Sequence, residues 1–209
     1  MPQRLQPGTR RLYARLVAPV LLSDYEELIA DLPQDAATVL DFGCGPGLLV
    51  AALARRHPRV RFHGIDVDPE QVRIARRLHR GLPNASFHHG RGRHLPFADH
   101  VFDAVLATES LHHWRHRSAT LAEIHRVLRP GGRLWVLEGR GRPSWQEVQG
   151  RLGLPGWRIL RPLVRRIYRR HGYDRSDVDA EVVPAFRASP FRSCTVEDHG
   201  RWWRITARA

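Results

Sequence analysis

The chain has 209 residues, 42% of them hydrophobic, and a formal charge of +13 carried by 34 basic residues that are all Arg. That length fits one domain, and that apolar fraction supplies a core and excludes a disordered chain. No apolar run reaches the roughly 18 residues that a membrane span needs.

Residues 9–31 read as an N-terminal helix, kinked at Pro19. Val39-Leu40-Asp41-Phe42 is a short apolar run ending in glycines, the pattern of a buried strand. Residues 48–56 are apolar and helix-prone, and 60–66 alternate into a second strand. Asp68-Pro69-Glu70 opens a helix with Pro in its first turn, running to about residue 80. Gly81-Leu82-Pro83-Asn84 is a turn. Residues 85–89 and 102–107 are the third and fourth strands. Thr120 and Glu123 have capping-box spacing within the next helix, which runs to Leu128 and is stopped by Arg129-Pro130-Gly131-Gly132. Residues 133–138 form a fifth strand. Residues 140–190 are Arg-rich and helical in pieces, and 193–197 and 202–207 form a hairpin around Asp198-His199-Gly200.

Strands alternating with helices at this spacing imply right-handed crossovers and a mostly parallel sheet. The expected fold is α/β and Rossmann-like: a seven-stranded, mostly parallel sheet with a C-terminal antiparallel hairpin and helices on both faces. One domain is expected over residues 1–209. It divides into an N-terminal helical cap (1–37), a nucleotide-cofactor core (38–138), a basic helical insertion or lid (139–190) and the terminal hairpin (191–209). Cys44 and Cys194 are too few for a disulfide framework and are expected as free thiols.

The strand ending at Phe42 runs into Gly43-Cys44-Gly45-Pro46-Gly47 and then a helix. Glycines there let the backbone turn tightly and approach a ligand, and the helix start offers unpaired N–H groups. Asp66 ends the second strand, 19 residues after Gly47, where an acidic side chain accepts both ribose hydroxyls of an adenosine. The dinucleotide pattern GxGxxG is incomplete, because Leu48 or Val50 stands where its third glycine belongs. A cofactor without a pyrophosphate fits this turn better.

Residues 39–47 resemble the first motif of the class I S-adenosylmethionine (SAM)-dependent methyltransferases, small-molecule enzymes among them. Gly64-Ile65-Asp66-Val67-Asp68-Pro69-Glu70 resembles the family's ribose-holding segment, and Leu95-Pro96-Phe97-Ala98-Asp99 with Phe102-Asp103-Ala104-Val105 its approach to the fourth strand. Leu111-His112-His113-Trp114 is similar to a stretch in many small-molecule members, and residues 126–132 to the turn before the fifth strand. The resemblance implies SAM as cofactor. It implies that Asp41 lies near the methionine ammonium, that Gly43, Cys44, Gly45 and Gly47 form the backbone cradle, and that Asp66 holds the ribose with Val67 beside the adenine. Ala107 and Thr108 would line the methionine side. Where similar proteins read Gly-Asp-Ala at the adenine, this chain reads Gly90-Arg91-Gly92. Arg donates only, so adenine recognition there rests on backbone groups around Arg91 and Gly92 or on stacking by Arg91.

The cofactor carries the activated methyl group, so the protein must orient the acceptor and exclude water. A general base is needed only when the acceptor must lose a proton. His112 and His113 follow the fourth strand and are candidates for that base, with Glu109 as a second base or acceptor anchor; packing around the cofactor is the alternative role. The histidine groups 88-89-94 and 112-113-116 lack the spacing and Cys ligands of a structural zinc site, so no metal is expected.

Residues 139–209 carry 15 Arg against 7 acids, a denser positive charge than residues 1–138 with 19 against 14. Within 157–170, a helix opened by Pro162 would place Leu163, Val164, Ile167 and Tyr168 on one face and Arg165, Arg166, Arg169 and Arg170 on the rest. It would lie on an anionic membrane, grip phosphates, cover the substrate as a lid, or pack on the core as any surface helix does. The acceptor is expected to be a small molecule, with a lipid or quinone at an anionic membrane surface as the alternative. Nucleic acid is disfavoured, because Ala107-Thr108-Glu109-Ser110 stands where base-amino methylases keep Asn/Asp-Pro-Pro-Tyr/Phe. A binder without catalysis is the remaining alternative. The N-terminus shows no signal-peptide apolar stretch, so a cytoplasmic location is expected.

Overall fold

A computed structural model describes residues 32, 36–140, 172–200 and 202–209. Strands and helices alternate as β1 (Thr38–Phe42), α1 (Leu48–Arg56), β2 (Arg61–Asp66), α2 (Pro69–Leu78) and β3 (Ala85–His89). β4 (Phe102–Thr108), a 3-10 turn (Leu111–His113), α3 (Arg117–Val127) and β5 (Leu128–Gly139) complete the parallel part. Three consecutive helical turns, Arg175–Asp177, Val178–Val182 and Val183–Arg187, precede β6 (Ser193–Asp198) and β7 (Trp202–Arg208).

The seven strands form one sheet in the order β3-β2-β1-β4-β5-β7-β6. The first five run parallel, while β7 pairs antiparallel with both β5 and β6. This is the expected fold. β1 is wholly buried, which explains its unbroken apolar run with only Thr38 and Asp41 polar. Two apolar layers cover the sheet. Leu49, Val50 and Leu53 of α1 and Val72 and Ala75 of α2 pack on one face with Phe62 and Phe87. Leu121, Ile124 and Val127 of α3 pack on the other with Leu40, Ile65 and Phe102, joined by Val178, Val182 and Phe186. Strand order reverses between β1 and β4, so the C-terminal ends of these strands diverge and leave a crevice there.

Two expectations change. The helix before β5 starts at Arg117, so Thr120 and Glu123 lie inside it and form no capping box. Thr120 is buried, and Glu123 instead accepts from the Leu95 amide at 2.8 Å. Arg129-Pro130-Gly131-Gly132 ends α3 but also continues into β5 as a bulge, with the register shifting between Phe102 and Ala104. Gly131 takes φ +81 there and its amide donates to Ala209.

Loops are tied by charged side chains. Arg126 of α3 bonds Glu123 through two nitrogens, Asp99, and the carbonyls of Leu95 and Phe97, holding residues 95–99 against the helix. Asp103 accepts from the Ala37 and Thr38 amides at 2.9 Å and pairs with Arg129, which fixes the start of β1. Both cysteines are free thiols. No helix among the described residues is long and apolar enough to cross a membrane. The N-terminal cap except residues 32, 36 and 37, and the basic segment 157–170, lie outside the described residues.

Candidate active site

The glycine turn after β1 sits at the crevice. Gly43 and Cys44 amides both donate to Ile65 O, at 2.8 and 3.0 Å, and Gly47 N donates to Cys44 O. The turn needs glycine for two different reasons. Gly47 is the left-handed N-cap of α1, and a Cβ there would stand 2.4 Å from Phe87 and 3.1 Å from Ala75. Gly43 is also left-handed, and a Cβ would stand 2.8 Å from Ser110 of the β4 side. Gly45 takes φ +52 with nothing within 4 Å of a built Cβ. The backbone is thus pressed tight on two sides and open at its apex.

Asp41 lies beneath this turn, 3% exposed, with no partner for Oδ1. Burial, with Asp66 nearby, pushes its carboxyl up to about 7. A buried unpartnered carboxylate oxygen is costly unless a cationic or donor ligand completes it. Asp66, at the end of β2, accepts from Gly45 N at 2.9 Å and from Asp68 N at 2.8 Å, so it joins the glycine turn to the start of α2. Burial raises its pKa although those amides oppose the shift. Val67, next to it, is 62% exposed. Cys44 Sγ is buried beside Gly64, which has no room for a side chain. His79 of the α2 end reaches Pro46 O at 3.1 Å and steadies the same turn.

Arg91 is exposed and pairs with His94 in an isolated antiparallel bridge. Gly92 touches both Phe42 and Thr120, so any side chain there would collide with β1 and α3. Ala107 is buried and Thr108 half-buried at the end of β4. Glu109 follows in a left-handed conformation (φ +48), uncommon for a non-glycine residue, with its amide on Leu137 O.

Beyond it, Ser110 Oγ donates to Phe42 O and so anchors the His112 turn against the glycine turn. His112 Nδ1 lies 2.5 Å from Glu138 Oε1, and Leu111 N donates to Glu138 Oε2 at 2.9 Å. Glu138 is fully buried at the end of β5, and burial pushes its carboxyl up to about 8. Burial lowers His112 and His113 to about 4, and the two rings lie 3.9 Å apart. Glu109, His112 and Glu138 each put one oxygen or nitrogen donor atom within 4.8 Å of the others. At 2.5 Å, His112 Nδ1 and Glu138 Oε1 are within hydrogen-bonding distance.

The structure therefore brings Asp41, the glycine turn, Asp66 and the Glu109–His113 segment to one crevice. Sequence reasoning missed Glu138, Ser110 and His79. Glu138 left a signal: an acid closing the apolar run Leu134-Trp135-Val136-Leu137.

Residues 40–136 match the family model described as a methyltransferase domain. Over 127 residues the chain is 34% identical to a fatty-acid O-methyltransferase of Mycolicibacterium smegmatis, covering 59% of this chain and 46% of that protein. It is 33% identical over 160 residues to phthiotriol/phenolphthiotriol dimycocerosates methyltransferase 1 of Mycobacterium ulcerans, covering 77% of this chain and 54% of that one. The chain thus spans about half the length of these curated relatives. A SAM-dependent methyltransferase from Aquifex aeolicus has the same fold, with a TM-score of 0.74 at 19% identity over 98% of this chain and 99% of that one. The fold is the one seen in the SAM-dependent methyltransferases, and residues 40–136 match a methyltransferase domain.

Proposed function

We propose that the protein transfers a methyl group from SAM to a small-molecule acceptor. The observation that carries this reading is the glycine turn, open above Gly45, over the buried Asp41 whose Oδ1 has no partner. A ligand with an ammonium group and no phosphate suits that donor set. Asp41 would receive the methionine ammonium, with Gly43, Cys44, Gly45 and Gly47 passing beneath the cofactor. Asp66 would hold the ribose hydroxyls. Val67 would flank one side of the adenine, and Arg91 and Gly92 the other. Ala107 and Thr108 would line the methionine side. Bound SAM supplies an activated sulfonium methyl. The protein's part is to orient the acceptor and keep water out, with His112, His113 and Glu109 at the methyl-facing mouth.

The curated relatives carry names of fatty-acid and phthiotriol methyltransferases, which supports an acceptor with a long apolar part. The basic segment 157–170 suits contact with an anionic lipid surface beside which such an acceptor would sit. Its test is flotation with anionic against neutral liposomes, where equal recovery rejects charge-driven contact. A cytoplasmic location goes with this reading. Titration calorimetry is expected to show SAM and its demethylated product binding on the order of micromolar. No heat with either would reject the cofactor assignment, and turnover of labelled methyl into acceptor separates an enzyme from a passive binder.

A further inference from the structure

The end of the sheet away from the crevice carries a second organised surface. Residues 42–65 contain no Asp or Glu, and neither do residues 71–98. Because β1, β2 and β3 run parallel, α1 and α2 run back between them, and the C-terminal ends of both helices lie at the N-terminal ends of the strands. The last turn of α1 carries Arg55 and Arg56, and that of α2 carries Arg76 and Arg77. Asn84 ties the two following loops together. Its Nδ2 donates to the carbonyls of Ala54, His57 and Val60, at 3.0, 3.2 and 2.9 Å. Its own carbonyl accepts from Phe62 N at 2.8 Å. Arg55, Arg59 and Arg61 of one loop therefore share a surface with Arg77 and Arg80 of the other, and all five are exposed.

Basic residues in the last turn of a helix offset its dipole, which accounts for Arg55 and Arg77. Arg59, Arg61 and Arg80 lie beyond the helix ends. Among the described residues no carboxylate pairs with any of the five, whereas Arg73, one turn earlier on α2, is held by Glu70 at 2.7 Å. Five like charges held together without a counter-charge suit a partner of fixed negative charge. A helix that lies on a bilayer needs a broad apolar face. α2 turns Val72 and Ala75 into the core, and Leu78, 56% exposed, is the one exposed large apolar side chain beside these arginines. Single-stranded nucleic acid is held by bases stacked on aromatic rings. The exposed large hydrophobics among the described residues, Val67 and Leu78, are aliphatic. What this surface supplies is charge, which the phosphates of a duplex take up with neither stacking nor insertion. We propose that Arg55, Arg59, Arg61, Arg77 and Arg80 form a docking surface for the phosphate backbone of duplex nucleic acid. The duplex is a tether and not a methyl acceptor, because it lies at the opposite end of the sheet from Asp66, which closes β2 at the crevice. That role agrees with Ala107-Thr108-Glu109-Ser110 in place of a base-amino methylase motif. The inference goes beyond the methyltransferase reading and does not depend on it.

The test is fluorescence anisotropy of a labelled DNA duplex of about 20 base pairs and arbitrary sequence, titrated with the full chain between about 50 and 200 mM salt. Five phosphate contacts give the native protein a log–log salt slope of about −4 or steeper. Arg59→Gln, Arg61→Gln, Arg77→Gln and Arg80→Gln combined should make the slope shallower by about 3–4 and weaken binding about 10²–10⁴-fold near 100 mM salt. Calorimetric SAM affinity and the unfolding midpoint should stay at the native values, since these side chains are exposed and away from the crevice. If the combined variant fails to fold, each single replacement should still lower the slope by about 0.9. The matched control is Arg165→Gln, Arg166→Gln, Arg169→Gln and Arg170→Gln combined, which removes the same charge and should change the slope by less than about 1. An equal loss in both variants would assign the binding to net charge and overturn the surface, as would an unchanged slope in the first. Tighter binding of a single strand of the same length overturns the duplex assignment. Capture by anionic phospholipid vesicles without duplex binding overturns the partner class, and methyl label passing from SAM into the duplex overturns the tether role.

Discussion

Alanine at two glycines of the same turn should separate the fold's need from the ligand's. At Gly47, an Ala must adopt φ +76, which costs about 1–2 kcal/mol for an L residue. Its Cβ would also stand 2.4 Å from Phe87 Cε1 and 2.7 Å from Cζ, with Ala75 at 3.1 Å. Phe87 is a buried core side chain, so overpacking adds about 1–3 kcal/mol. Gly47→Ala is thus expected to lose about 2–5 kcal/mol, or roughly 4–20 °C of Tm for a chain of this size. At Gly45 the Ala meets nothing within 4 Å and bears only the cost of φ +52, about 1–2 kcal/mol or roughly 2–8 °C. Gly45→Ala should therefore stay folded yet bind SAM at least tenfold more weakly, because the space its methyl enters is where the cofactor would lie. Urea unfolding with calorimetry on both variants is the assay. Native SAM affinity in Gly45→Ala would refute the placement, and equal destabilisation of the two would refute the packing argument.

Asp41→Asn should raise the urea midpoint at pH 8, since it removes a buried carboxylate with an unpartnered oxygen, and should weaken SAM binding at least tenfold; a variant as weak in stability but intact in binding would contradict both parts. Arg126→Ala releases residues 95–99 from α3, and the loss of its bonds is expected to cost about 1–3 kcal/mol, toward the lower end because the side chain is 29% exposed. Thermal unfolding, with faster amide exchange at Leu95, checks it. His63 is held near 4 by burial and by its neighbour His88, with Ser86 Oγ 2.9 Å from its Nδ1. The folded state thus binds fewer protons than the unfolded one between the ordinary value of 6.5 and about 4. Stability contributed by the neutral ring is complete above 6.5 and is lost as pH falls through that window. His63→Phe should flatten the acid limb of the urea midpoint, and an unchanged limb would refute the assignment.

The parallel part of the fold was legible because its signals are local. A buried strand such as β1 needs an unbroken apolar run, and α2 declares its start with Asp68, whose side chain caps Glu70 N, and Pro69. The start of α3 was not legible, because its N-cap His116 makes no side-chain cap and Thr120-Leu121-Ala122-Glu123 imitates one. There the helix is set by tertiary burial of Leu121, Ile124 and Val127, which a local signal does not report. The glycine-turn end of the crevice was readable for a related reason. Gly43, Gly47 and Asp66 carry constraints of backbone angle and charge that show in residue type alone.

The turn after β4 follows a different logic. His112 was visible as one histidine among 13, but its partner Glu138 is 26 residues away and meets it because β5 pairs with β4. Register alone brings them together: Thr108 lies beside Leu137, so the turn after β4 opens over the residue that follows Leu137. A residue whose value to the site comes from pairing across a sheet has no local sequence signature except its oddity, an acid at the end of a core strand. That oddity is useful beyond this chain. In an open sheet with a topological switch point, a charged residue closing an otherwise apolar central strand sits at the crevice by geometry. Its burial is tolerated where hydrogen bonds satisfy it, and here those come from the turn after the neighbouring strand.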